Sequence, residues 1–178
     1  MTEAERALIR NSQNGDKGAF GELVVRFGDY VFSVVFRLVN EEHASEDIVQ
    51  ETFIKAWQKI KRYKFEKGKF TTWLYVIASR LALDYLRGRK KNVSIGVESD
   101  IGSESVSELE TKELGAYIRK VCDQLSLTQK LVFVLRDLEE LSVDEVVKIT
   151  GFSEKKIKDN LYVARQRVRV RINAFLNS

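Results

Sequence analysis

Not one proline interrupts this chain of 178 residues. Proline breaks helix interiors by removing a donor and clashing with the preceding turn, so nothing here forces a helix to stop. Four potential capping boxes mark where helices begin instead: Thr2…Glu5, Ser107…Glu110, Ser126…Gln129 and Ser142…Glu145. Each sets a hydroxyl residue three positions ahead of Glu or Gln, so that the two side chains can satisfy each other's backbone donors. Val24, Phe27, Val31, Val34, Val35 and Leu38 recur at helical spacing, and no period-two alternation or internal repeat competes with them. The chain reads as all-α. Its character changes at NVSIGVESDIGSESVSE, 92–108, where Ser, Glu and Gly dominate and the aliphatics lose their period. The reading is two small helical domains, 1–91 and 111–178, joined by a flexible acidic linker at 92–110. Such a linker would average roughly 25 Å end to end as a coil and about 60 Å when stretched.

Charge is blocked along the chain, which the net value of +4 conceals. Residues 41–58 hold five acids against one base, and 59–91 hold eleven bases against two acids. The segment 92–113 returns to six acids against one base, and 148–178 carries eight bases against two acids. Two basic blocks with an acidic one between them suggest two separate contacts with a polyanion. An anionic membrane fits less well, because no strongly basic helix presents a broad apolar face. No apolar run is long enough to span a bilayer, and the charged N-terminus (Glu3, Glu5, Arg6, Arg10) does not read as a signal peptide. Cys122 is the only cysteine, so no internal disulfide and no zinc cluster is expected, which favours a reducing cytoplasm. His43, the only histidine, lies in the acidic run EEHASED and reads as a surface residue. No nucleophile–base pair or phosphate loop is evident, so no enzyme activity and no cofactor are expected.

The first basic block opens with KIKRYKFEKGKFTTWLY, residues 59–75, which combines six basic side chains with five aromatics. Two readings stand beside each other. A groove for unpaired nucleic acid needs cations for phosphates and flat rings for bases. A charged loop whose rings fold back into the core would show the same composition.

The second basic block contains LSVDEVVKITGFSEKKIKDNLYVARQRVRVRI, 141–172. Ser142 caps a short helix, Gly151 closes it, and Ser153 caps a second helix with an inner stripe of Ile157, Leu161, Ala164, Val168 and Ile172. Helix, short glycine turn and helix form a helix-turn-helix. Glu154, Lys155, Lys156, Lys158, Asp159 and Asn160 would enter a major groove, with Arg165, Arg167 and Arg169 available to phosphates. The plain alternative is a helical hairpin with a solvated basic face. In ASEDIVQETFIKAWQKI, 44–60, the buried stripe is Ile48, Val49, Thr52, Phe53, Ala56 and Ile60. Asp47, Gln50, Glu51, Ile54 and Gln58 share another face, either a solvated surface or a protein-docking patch.

Several runs, taken in order, resemble bacterial sigma factors. They are Gly15-Asp16…Ala19-Phe20, the stretch Glu46–Phe53 followed by Ala56-Trp57, Trp73-Leu74…Ile77-Ala78, and Asp84–Arg87. Val132–Glu139 and Ala164-Arg165 continue the likeness into the second half. The size and two-part plan are similar to the extracytoplasmic-function group. The resemblance implies that Asp47, Gln50, Glu51 and Ile54 dock on core RNA polymerase. It implies that Lys67, Lys69, Phe70, Thr71, Trp73, Arg80, Asp84 and Arg87 serve the minus-ten promoter element and its melted strand. Ser153, Lys155, Lys156, Lys158, Asn160 and Arg165 would serve the minus-thirty-five element as duplex. An anti-sigma factor is a further implied partner, membrane insertion is not, and the setting is cytoplasmic. Four positions depart from the family pattern. Arg80 stands for the usual Asn, Asp159-Asn160 for Ser-Arg, Val147 for Ala and Ser126 for Pro, so promoter preference cannot be carried over. A stand-alone helix-turn-helix regulator is the competing function, and it would not need the face at 47–54.

Overall fold

A computed structural model describes residues 2–93 and 117–176. The expected linker therefore lies outside the described residues, except Asn92 and Val93, which continue a helix. The Ser107…Glu110 box lies outside them as well. Among the described residues every regular element is helical. The first group comprises α1 (Glu3–Gln13), α2 (Lys17–Val39), α3 (Glu42–Lys59) and α4 (Phe70–Val93). The second comprises α5 (residues 117–123), α6 (Leu127–Phe133), a π-helical turn (Val134–Leu138), α7 (Val143–Thr150) and α8 (Glu154–Leu176).

The helix starts lie where the sequence signals them. Thr2 and Glu5, Ser126 and Gln129, and Ser142 and Glu145 each form the reciprocal capping box. Asp16 caps α2 by accepting from the Ala19 amide at 3.0 Å. Two ends use the left-handed region: Asn40 closes α2 at φ 58°, and Gly151 closes α7 at φ 72°. The long stripe of α2 is the spine of the first group, with Leu23, Val31, Val34, Val35 and Leu38 all fully buried. α1, α3 and α4 pack around it. Each such side chain contributes about 1.5–3 kcal/mol by leaving water. Thr52, fully buried on α3, donates its hydroxyl to the Ile48 carbonyl at 2.7 Å, so it adds no unsatisfied group to that core.

Between α3 and α4 the chain makes two 3₁₀ turns, Ile60–Arg62 and Phe65–Lys67. Their carbonyls find partners that pin the segment down. The Gln13 side-chain amide donates to the Ile60 and Tyr63 carbonyls at 3.0 and 2.9 Å. The buried Tyr63 hydroxyl donates to the Gly68 carbonyl at 2.9 Å. Gly68 itself sits at φ 143°, where a Cβ would be strained. Burial pushes the Tyr63 phenol above its ordinary pKa.

The two groups are not held apart. α7 packs against α4, the π-helical turn meets α2, and the buried side chains of both groups form one contiguous apolar cluster. We expect Tyr63→Phe to lower unfolding free energy by about 1 kcal/mol, the usual net worth of one hydrogen bond. Urea unfolding followed by circular dichroism checks this, and an unchanged midpoint would remove the hydroxyl's anchoring role.

Candidate nucleic-acid interface and docking face

The rings of the 59–75 stretch belong mostly to the core. Tyr63, Phe70 and Tyr75 are 5%, 2% and 4% exposed, whereas Phe65 and Trp73 are half-buried. Phe70 sits at the centre of an aromatic cluster, with ring centroids 5.3 Å from Phe27, 5.2 Å from Tyr63 and 5.4 Å from Trp73. Edge-on and tilted packing of this kind adds to area burial because ring edges meet ring faces. A Phe70 ring offered directly to an unpaired base is therefore not what the fold presents. The physical reason is that α4 begins at Phe70 and points it inward against α2. The cations do the opposite: Lys59, Lys61, Arg62, Lys64, Lys67 and Lys69 are all exposed. Rings anchor the segment, and its lysines and arginine line the outside.

Farther along α4, Arg80, Asp84 and Arg87 succeed one another at helical spacing and all are exposed. Asp84 and Arg87 pair at 3.2 Å, leaving Arg80 as the cation of this trio with the wider choice of partner. Thr71 and Trp73 are half-buried at the first turn of α4. Arg89 and the Tyr85 hydroxyl both reach Glu41 Oε2, at 3.1 and 2.8 Å, and so tie α4 to the start of α3.

On α3 the stripe expected inside is inside, with Val49 half-buried at its edge, and Asp47, Gln50 and Gln58 are exposed. Ile54 is 52% exposed among them, an aliphatic side chain that the core does not use. Glu51 is half-buried and pairs with Lys55 at 2.9 Å along the same helix. His43 is exposed near Glu46, away from any cluster of chemistry.

The helix-turn-helix expected from the sequence is present. Ser153 accepts from the Lys156 amide at 3.3 Å and starts α8, whose inner stripe packs on α6 and α7. The cations along α8 differ in how far they are committed. Lys156 Nζ lies 3.9 Å from the centroid of the Phe152 ring. Lys158 pairs with Glu154 at 3.3 Å, and Asn160 donates to the Lys156 carbonyl at 2.8 Å. Arg165 makes a two-pronged contact with Asp137, Nε and Nη2 donating at 2.8 and 2.7 Å. That fork holds α8 on the π-helical turn, so Arg165 is engaged within the fold rather than extended to a phosphate. Lys155 is exposed beside the N-terminus of α8.

Sequence reading missed a set of residues that join the two groups. Arg37 pairs with Glu139 and donates to the Leu138 carbonyl at 3.0 Å, and Lys69 meets Glu145 at 2.9 Å. Asn40 donates to Asp123 at 2.9 Å, while the other oxygen of Asp123 takes the buried Lys130 ammonium at 2.5 Å. Partners separated by so much chain carry no local signal.

The comparisons with known proteins agree in both halves. The family described as "Sigma-70 region 2" matches residues 23–92, and "Sigma-70, region 4" matches 116–168. The chain is 28% identical over 174 residues to the ECF RNA polymerase sigma factor SigW of Bacillus subtilis, covering 90% of this chain and 92% of that one. It is 29% identical over 185 residues to the ECF RNA polymerase sigma-E factor of Haemophilus influenzae, covering 97% of each. Its fold resembles that of CnrH in complex with the cytosolic domain of CnrY, with a TM-score of 0.73 at 22% identity, over 97% of this chain and 99% of that one. It also resembles the sigma factor RpoE in complex with the anti-sigma factor NepR from Bartonella quintana. There the TM-score is 0.74 at 22% identity, covering 86% of this chain and 96% of that one.

Two outcomes are expected here. Phe70→Ala should destabilise folding by about 3–5 kcal/mol, as truncation of a buried aromatic does, and this is measured by thermal or urea unfolding. In duplex binding, Lys155→Ala should reduce the slope of log affinity against log salt by about one unit, and Lys158→Ala by less because of its partner Glu154. Equal slopes for both variants would set aside the ranking.

Proposed function

Because this chain belongs to the extracytoplasmic-function group of RNA polymerase sigma factors and directs polymerase to promoters, we propose that three of its surfaces divide the work of initiation. The outer face of α3 docks on core polymerase through Asp47, Gln50 and Ile54, with Glu51 at its margin. The observation that carries this assignment is Ile54, half exposed on a helix whose other aliphatic stripe is buried. An isolated aliphatic ringed by acids and amides suits a protein partner, with apolar burial at the centre and polar contacts around it.

The basic segment ahead of α4, with the outer face of α4, serves the minus-ten element. Lys67 and Lys69 act on phosphates, and Thr71, Trp73, Arg80, Asp84 and Arg87 lie along the path of the melted strand. Phe70 contributes by shaping this surface from beneath, holding Trp73 and the loop in place. The start of α8 serves the minus-thirty-five element as duplex: Ser153, Lys155, Lys156, Lys158 and Asn160 approach the major groove, where base edges are distinguishable. Arg165 supports them through Asp137. In this reading residues 1–91 and 111–178 are the two working domains, and 92–110 connect them.

The reading assigns the chain no catalysis of its own, since bond making belongs to the polymerase. It places the work in the cytoplasm, and among the described residues no helix is long and apolar enough to cross a membrane. An anti-sigma factor is proposed as a further partner, supported by the fold likeness to chains solved with CnrY and NepR. A stand-alone regulator would have no use for the matched region 2, and it is not favoured.

Run-off transcription with core polymerase and promoter-bearing templates tests the function as a whole. Asp47→Ala and Ile54→Ala should each weaken core binding by about tenfold, a loss of the size expected for a well-placed interface residue, with circular dichroism unchanged. Normal capture of core polymerase by both variants would remove the docking assignment.

A further inference from the structure

α1 takes no part in the three surfaces assigned above, and it lies ahead of the stretch matched to region 2, which begins at Leu23. Its inner side is nevertheless built against the segment that displays the minus-ten cations. Arg6, Ile9, Arg10 and Gln13 fall on one side of the helix at steps of three, one and three. Ile9 is fully buried and fixes α1 in the core. Gln13 Nε2 donates to the Ile60 carbonyl at 3.0 Å and to the Tyr63 carbonyl at 2.9 Å. Both acceptors are carbonyls, so only the amide nitrogen, with its two hydrogens, can serve them. One side chain thereby spans the first 3₁₀ turn from its first residue to the residue that closes it. Arg10 lies over the Phe65 ring, with Cζ 5.8 Å from the centroid, and so touches the second turn. From Tyr63 the bonds continue, its hydroxyl donating to the Gly68 carbonyl beside Lys69. The end of α1 that carries Gln13 is itself held. Gly15, at φ 99°, turns the chain, the Asp16 amide donates to the Asn11 carbonyl at 3.0 Å, and Asp16 goes on to cap α2.

We propose that α1 is a brace for promoter opening, and that Gln13 is a positioning residue that holds the strand-binding segment 60–69 in its working shape. This rests on the assignment of Lys67 and Lys69 to the minus-ten element. Lys59, Lys61, Arg62, Lys64 and Lys67 are exposed along a segment without a long helix, and their like charges push it apart. Unbraced, the segment would spread, and each cation would have to be ordered again as the strand arrived. The bonds from α1 meet that ordering cost during folding, so contacts with the unpaired strand are made by a surface already in place. Core docking by α3 and duplex reading by α8 use other elements and do not depend on this turn. Gln13 therefore acts at the step where the strands separate, through the backbone it holds rather than by touching DNA.

The test uses the full chain with core polymerase, on a linear template from which the parent gives a run-off product. Gln13→Met keeps a long, helix-favouring side chain and removes its donors. Permanganate reactivity of unpaired thymines should show opening reduced about tenfold, a change of the order produced by losing one or two hydrogen bonds. Capture of core polymerase, and binding of the upstream duplex half of the same template, should be unchanged. Gln13→Lys returns N–H donors to the two carbonyls and should restore opening. Asn11→Lys joined to Gln13→Met adds the same charge at an exposed position on the other side of α1, and should remain defective. Normal opening by Gln13→Met would overturn the proposal. So would an equal loss in core capture, which marks a general weakening of the fold, or recovery in the Asn11→Lys double variant, which marks charge alone. Failure of the underlying reading looks different: Lys67→Ala with Lys69→Ala would then open the template as readily as the parent.

Discussion

The packing of Phe27, Tyr63, Phe70 and Trp73 sets the terms for the rest of the first helical group. The segment between α3 and α4 has no long helix to hold it, and its many cations repel one another. Four rings drawn into one cluster supply the attraction that such a segment lacks. They also decide where α4 begins and in which direction it runs, since Phe70 is at once its first residue and a centre of the cluster. Gln13 and the Tyr63 hydroxyl then satisfy carbonyls that would otherwise be left without partners on the inner side of the turns. The display of Lys67 and Lys69 results from this buried scaffold rather than from any property of the lysines.

Much of this fold was legible in the residues because its signals are local. Three capping boxes, the glycine after α7 and the inner stripe of α8 rest on residues close together in the chain, and these are found where expected. The composition of 59–75 was legible only as a choice between stacked and buried rings. The deciding residue is Phe27 on α2, far away in the chain. The commitment of Arg165 to Asp137 was likewise hidden, since an arginine on a basic helix reads as available until the facing turn is known. The cross-group pairs, Arg37 with Glu139 and Lys69 with Glu145, had no local trace.

The same electrostatics explain why blocks of charge are a better guide than individual residues. On α8 the cations are tempered by Glu154, Asp137 and the Phe152 ring, so the helix presents a graded field rather than a uniform one. Burial acts in the opposite direction at the seam. It pushes the Glu139 carboxyl up against the pull of Arg37, so the acid that joins the groups is held less firmly in its charged form than an exposed glutamate beside the same arginine would be.

The π-helical turn at Val134–Leu138 carries one residue more per turn than an α-helix would. The Glu139 amide donates a hydrogen bond to the Val134 carbonyl at 2.9 Å, spanning five positions. Asp137 and Glu139 lie on either side of the point where that extra residue is absorbed, one facing α8 and the other facing α2. A chain shorter by a single residue here would close into regular helix and turn the residues that follow by about 100° about its axis. Both acids would leave their arginines in the same step. The insertion therefore works as a registration mark: one residue of chain length sets the direction in which Asp137 meets α8 and the direction in which Glu139 meets α2.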